Sequence, residues 1–199
     1  MQLVVIFGPP AVGKMTIGRR VAERSSFRLF HNHAMIEPLL EVFDYGTPPF
    51  VRLLREMRLQ VVQEAAASGT DLVLTYVWGL ELEGDVEELS QQIAAYVNRG
   101  AVVSFVELAA DLQTRLERNR TEHRLTEKRS KRDLAWSDSN VRDMERHVMN
   151  TDLQPERDNL PGMRLLVQHR YLRVDTSRLT PEQSAERIVE WLTGSTADR

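Results

Sequence analysis

The stretch Gly8-Pro9-Pro10-Ala11-Val12-Gly13-Lys14-Met15-Thr16 constrains this chain more than any other. The apolar run Leu3-Val4-Val5-Ile6-Phe7 leads into it, and the helical spacing of Ile17, Val21 and Ala22 leads out. That order predicts strand, glycine-bounded loop, helix. The spacing Gly-x4-Gly-Lys lets a loop wrap an anion with backbone N–H groups, since glycine takes the required backbone angles and admits close approach. The following helix aims its unpaired N–H groups and positive dipole end at the same anion. Lys14 adds a point charge suited to the outer phosphates of a nucleotide. An ordinary glycine turn is the alternative, and the flanking strand and helix weigh against it.

The remaining residues predict further alternation of strands and helices. Phe27-Arg28-Leu29-Phe30 reads as a second strand, residues 34–43 as a helix, and residues 50–67 as a long helix with Leu53, Leu54, Met57, Val61 and Val62 on its apolar side. Residues 71–77 form a third strand, 83–98 a helix and 101–106 a fourth strand. Asp111 caps a helix that runs into a charged stretch between Arg115 and Arg132, a further helix is expected from Ser139 to about Met149, and a polar connection follows. The last strand is 171–175, and Thr180-Pro181-Glu182-Gln183 opens the closing helix with a cap and a first-position proline. Such alternation implies an α/β domain with a parallel sheet covered on both faces.

At 199 residues the chain suits a single domain, 1–199. A net charge of -3 argues against general nucleic-acid binding, and the absence of cysteine excludes disulfides and thiolate chemistry. The apolar runs are strand-sized and no targeting segment opens the chain, so a cytoplasmic protein without membrane insertion, monomer or homodimer, is expected.

The Gly-Pro-Pro-x-x-Gly-Lys-x-Thr pattern resembles the P-loop of adenylate kinases and their relatives, the nucleoside monophosphate kinase and shikimate kinase group. The resemblance implies a three-layer P-loop NTPase fold, strand order 2-3-1-4-5, an arginine-rich lid at about 118–138, and ATP with Mg²⁺ as nucleotide and cofactor. Residues 8–16 (Gly8, Pro9, Pro10, Ala11, Val12, Gly13, Lys14, Met15, Thr16) would bind the phosphates. Met15 separates Lys14 from Thr16, a helical rotation of about 100°, so Thr16 would reach an inner phosphate and is a weak metal contact.

Ligands of such sheets lie beyond the carboxyl ends of the strands. There His31-Asn32-His33 precedes Ile36-Glu37 and resembles the Asp-x-Asp-x-x-Ile pattern of shikimate kinases, with both acids replaced. The resemblance makes His33 a candidate base or orienter for a substrate hydroxyl and His31 a phosphate or metal contact; a helix cap or structural packing is the alternative for either. The third-strand exit, Thr75-Tyr76-Val77-Trp78-Gly79, lacks the Asp-Gly-x-Pro-Arg of adenylate kinases. Tyr76 and Trp78 there suit a ring-shaped acceptor or aromatic core packing.

Arg52 and Arg55 resemble, one residue displaced, the Gly-x-x-x-Phe-Arg stretch with which shikimate kinases hold their acid; a solvated helix face is the alternative. Asp44 is a spare carboxylate. Arg118 and Arg124 match the group's lid arginines and would meet the charge of a transferring phosphoryl group. Thr176, within Asp175-Thr176-Ser177, resembles the loop on which the group rests adenine. The expected activity is transfer of the γ-phosphoryl of ATP to a hydroxyl of a small molecule. A nucleoside or nucleotide kinase, and a nucleotide-dependent switch or ATPase, are the alternatives.

Overall fold

The computed structural model describes residues 1–121, 134–151 and 159–194. Its centre is β1 (Gln2–Phe7), whose residues Leu3 to Phe7 are completely buried. β1 pairs in parallel with β3 (Leu72–Tyr76) on one side and β4 (Val102–Ala109) on the other. β2 (Arg28–Phe30) extends the sheet beyond β3, and β5 (Arg170–Asp175) beyond β4, again in parallel. The order is therefore β2-β3-β1-β4-β5, as the resemblance implied.

Alternation along β1 divides the core. Leu3, Val5 and Phe7 face one side, with α3 (Pro48–Ala67) and α4 (Glu83–Val97) contributing Val62, Ala66, Leu89, Ile93 and Tyr96. Val4 and Ile6 face the other, under Ile17 and Val21 of α1 (Lys14–Glu23) and, after α2 (His33–Leu40) and α5 (Leu112–Asn119), under Ala185, Ile188 and Leu192 of the closing helix. Thr180 caps that helix reciprocally with Gln183: the Gln183 N–H donates to the Thr180 hydroxyl at 3.1 Å, and the Thr180 N–H to the Gln183 amide oxygen at 2.9 Å. Asp111 caps α5 as expected, accepting from the Thr114 N–H at 2.8 Å.

Three expectations need correction. The fourth strand continues to Ala109, because Glu107 and its neighbours pair with β5. The helix expected from Ser139 starts earlier: α6 is Leu134–Asp143, followed by a 3-10 turn at Met144–Arg146. The supposed polar connection contains α7 (Pro161–Leu166), whose Leu165 and Leu166 join the core, before β5 and α8 (Pro181–Gly194). Among the described residues no helix is long and apolar enough to cross a membrane.

Candidate active site

The loop between β1 and α1 is concave because three residues take positive φ: Gly8 at 136°, Ala11 at 64° and Gly13 at 104°. At Gly8 a Cβ would sit 2.3 Å from the Leu108 carbonyl oxygen of β4, so only glycine lets the loop leave the sheet this closely. No side chain caps the amino end of α1, which begins at Lys14. The loop N–H groups and the dipole of α1 therefore converge on one point. Lys14 folds back over it: its Nζ donates to the carbonyls of Gly8 at 2.6 Å and Pro9 at 2.8 Å.

A cavity of about 470 Å³ opens over residues 10–17. On the β4 and β5 side it is lined by Arg118, Thr121 and Thr176. Thr176 is buried and holds three elements together. Its N–H donates to the Ala109 carbonyl at 2.8 Å, and its hydroxyl lies 3.0 Å from that oxygen and 3.3 Å from the Val12 carbonyl. Arg118 donates to the Thr176 hydroxyl at 3.0 Å and carbonyl at 2.6 Å. Burial lowers the Arg118 pKa from its usual value, and Asp111 and Asp175 oppose that by their charge. The guanidinium is thus fixed against the β5–α8 loop, beside the concave β1–α1 loop.

On the β3 and β2 side the wall is His31, Asn32, His33, Ile36, Thr75 and Val77. Nδ1 of His33 is 3.5 Å from a Glu37 carboxylate oxygen one helical turn on. The Asn32 N–H donates to the Thr75 hydroxyl at 2.9 Å, which ties this corner to β3. Among the described lining residues there is no carboxylate, so the charged groups of the cavity are Lys14, Arg118 and whichever imidazole is protonated.

Several expected residues lie elsewhere. Trp78 is wholly buried, edge-on to Phe7 at 5.1 Å between ring centroids, and Tyr76 is buried in the same core; neither lines the cavity. Arg52 and Arg55 are on the solvent side of α3, with Arg55 bonded to Glu88 at 3.0 Å. Asp44 is also exposed and outside the lining. Gly8 and Pro9 support the loop from behind through their carbonyls. Arg124, and the lid segment between residues 122 and 133, lie outside the described residues.

Other residues join the site without having been expected. Arg58 follows Arg55 by one helical turn and donates to the Asn32 carbonyl at 3.3 Å and to the Asn32 side-chain oxygen. Tyr45, Trp136 and Asn140 line the cavity. α6 is held to α5 by Asn119, which donates to Asp138 at 2.7 Å and accepts from Ser137 at 3.0 Å. Leu116 and Val141 of these helices pack on Ala11 of the loop. Nothing in the charged stretch after Arg115 pointed to Trp136, because its place in the cavity depends on how α6 packs on α5.

No protein-family model matches the chain, and no curated protein matches it by sequence. Solved structures do. A Chloroflexus aurantiacus protein described as a candidate kinase superimposes with a TM-score of 0.63 at 19% identity, covering 98% of this chain and 95% of that one. Shikimate kinase from Acinetobacter baumannii, in complex with shikimate, gives 0.59 at 18%, covering 99% and 95%. The tunicamycin resistance protein of Deinococcus radiodurans gives 0.53 at 18%, covering 96% and 95%. With its sheet order and its glycine-bounded loop, the chain has the α/β fold of the P-loop small-molecule kinases of the shikimate and adenylate kinase-like group.

Proposed function

We propose that the protein is an ATP-dependent phosphotransferase that moves the γ-phosphoryl group to a hydroxyl of a small molecule. The observation that carries this reading is a shared cavity: the anion cradle with Lys14 and a pair of titratable imidazoles, His31 and His33, open to the same 470 Å³ space. A nucleotide switch needs only the cradle. The extension past His33 to Tyr45 and Trp136 favours a second ligand.

The loop N–H groups and Lys14 would bind the β- and γ-phosphates, for which Lys14 must leave the Gly8 and Pro9 carbonyls. Arg118 and Thr176, bonded to each other on the wall of the cavity, would meet the nucleoside end of ATP, and Arg118 would also meet charge on the phosphates. Mg²⁺ would rest on the nucleotide's own oxygens, with the Thr16 hydroxyl as its available protein contact beside Lys14, and would neutralise phosphate charge. His33 would accept the proton of the attacking hydroxyl as its oxygen bonds to the γ-phosphorus and the bond to the β-phosphate oxygen breaks, releasing ADP. Glu37 orients that imidazole and stabilises it once protonated.

Turnover of ATP with and without alcohols, nucleosides and hydroxylated rings tests the reading. Acceptor-stimulated ADP release is expected, abolished in Lys14→Met through lost ATP binding. His33→Gln should lower kcat by about 10²-fold and leave ATP affinity within about twofold. Turnover that no acceptor stimulates, or a His33→Gln enzyme as active as the parent, would overturn it.

A further inference from the structure

We infer that the acceptor is an uncharged, hydroxylated ring compound that lies against a corner formed by Tyr45 and Trp136; the inference deepens the phosphotransferase reading and rests on it. Tyr45 comes from the α2–α3 connection and Trp136 from α6, yet their rings meet at 6.3 Å between centroids and 76° between planes. Both line the cavity and both stay open to solvent, at 64% and 42% exposure. Perpendicular rings at this distance admit no third ring between them. They offer instead a floor and a wall, against which the apolar face of a ring can stack. Phe50, itself buried, backs Tyr45 at 5.2 Å and fixes the corner on α3.

Among the described residues that line the cavity, the only Lys and Arg side chains are Lys14 and Arg118. Arg55 and Arg58 of α3 share the Glu88 carboxylate at 3.0 and 3.7 Å, and Arg58 is further bonded to Asn32. An acceptor carboxylate would have to displace Glu88 to pair with either. Lys14 and Arg118 both lie at the nucleotide end, Lys14 beside the loop carbonyls and Arg118 on Thr176, where the phosphates of ATP would draw them. Among the described lining residues, the other polar side chains on the wall toward the corner include Asn32, Asn140 and the two imidazoles, chemistry that suits hydroxyl groups rather than an acid.

Shikimate and its methyl ester form a matched pair of probes, with the same ring and hydroxyls and a difference of one charge. Binding is read by isothermal titration calorimetry in the presence of a non-hydrolysable ATP analogue, so that variants lacking Trp136 are measured in the same way as the parent. The ester is expected to bind at least tenfold tighter than the acid. Trp136→Ala should weaken the ester at least tenfold and the ATP analogue less than twofold, while Trp136→Phe retains ester binding within threefold. Equal or tighter binding of the acid, no binding of the ester, or an unaffected Trp136→Ala protein would overturn the acceptor class while the nucleotide site stands. Failure of the parent protein to bind the ATP analogue would instead overturn the phosphotransferase reading, and this inference with it.

Discussion

Trp78 separates a packing role from a binding role more sharply than any other residue. Its ring is completely buried against Phe7 at 5.1 Å and Phe105 at 5.8 Å, and its indole N–H has no hydrogen-bond partner among the described residues. Replacing it with alanine removes a large core ring, at a cost of about 3 kcal/mol, the lower end of the usual range because an unpaired donor goes with it. In a domain of this length that lowers Tm by about 6–12 °C. Phenylalanine leaves a void on the order of 40 Å³, which at about 24 cal/mol per Å³ costs about 1 kcal/mol. Losing the buried unpaired N–H returns about 1–3 kcal/mol. Trp78→Phe should therefore range from as stable as the parent to about 2 kcal/mol more stable in urea, with acceptor KM unchanged. A Trp78→Phe protein as unstable as Trp78→Ala would show that the N–H has a partner. Normal stability with a KM raised tenfold would place the ring in the acceptor site and refute the core assignment.

Gly8→Ala meets both a positive φ and the Leu108 carbonyl at 2.3 Å, whereas Gly46→Ala meets a φ of 78° with nothing within 4 Å. Gly46→Ala should cost about 1 kcal/mol and Gly8→Ala at least about 3 kcal/mol together with nucleotide affinity; equal urea midpoints would refute the close approach of loop and β4. His169 lies 5.5 Å from Phe105, and burial holds its imidazole below the usual 6.5. The unfolded chain then takes up the proton first, so stability present above pH 6.5 falls as pH drops and levels off below the folded-state pKa. His169→Gln should flatten that part of the urea-midpoint profile between pH 7.5 and 5.5, and identical slopes in both proteins would refute the assignment.

The amino-acid order alone determined the elements that carry their own signal. A strand as continuously apolar as Leu3 to Phe7 can only lie inside a sheet, and Gly-x4-Gly-Lys between it and a helix specifies an anion cradle through backbone angles that few residues adopt. Asp111 and Thr180 announced their helices because caps are local. His31 and His33, which line the cavity, were picked out by the rule that ligands of such sheets lie beyond the strand ends.

The tertiary structure decided everything that depends on which side of a strand or helix meets which neighbour. Trp78 and Tyr76 follow β3 into the core, though their aromatic character would serve a ligand equally well. Arg58, one turn beyond Arg55, turns inward to Asn32 while Arg52 faces water, since a helix distributes successive arginines around its circumference. Tyr45 and Trp136 are 91 positions apart in the chain and become neighbours where α6 is held on α5, among other contacts through Asn119 and Arg120 on Asp138. Contacts of that separation leave no mark in local periodicity, because nothing in either segment's own conformation depends on the other until the sheet has brought both to its carboxyl edge.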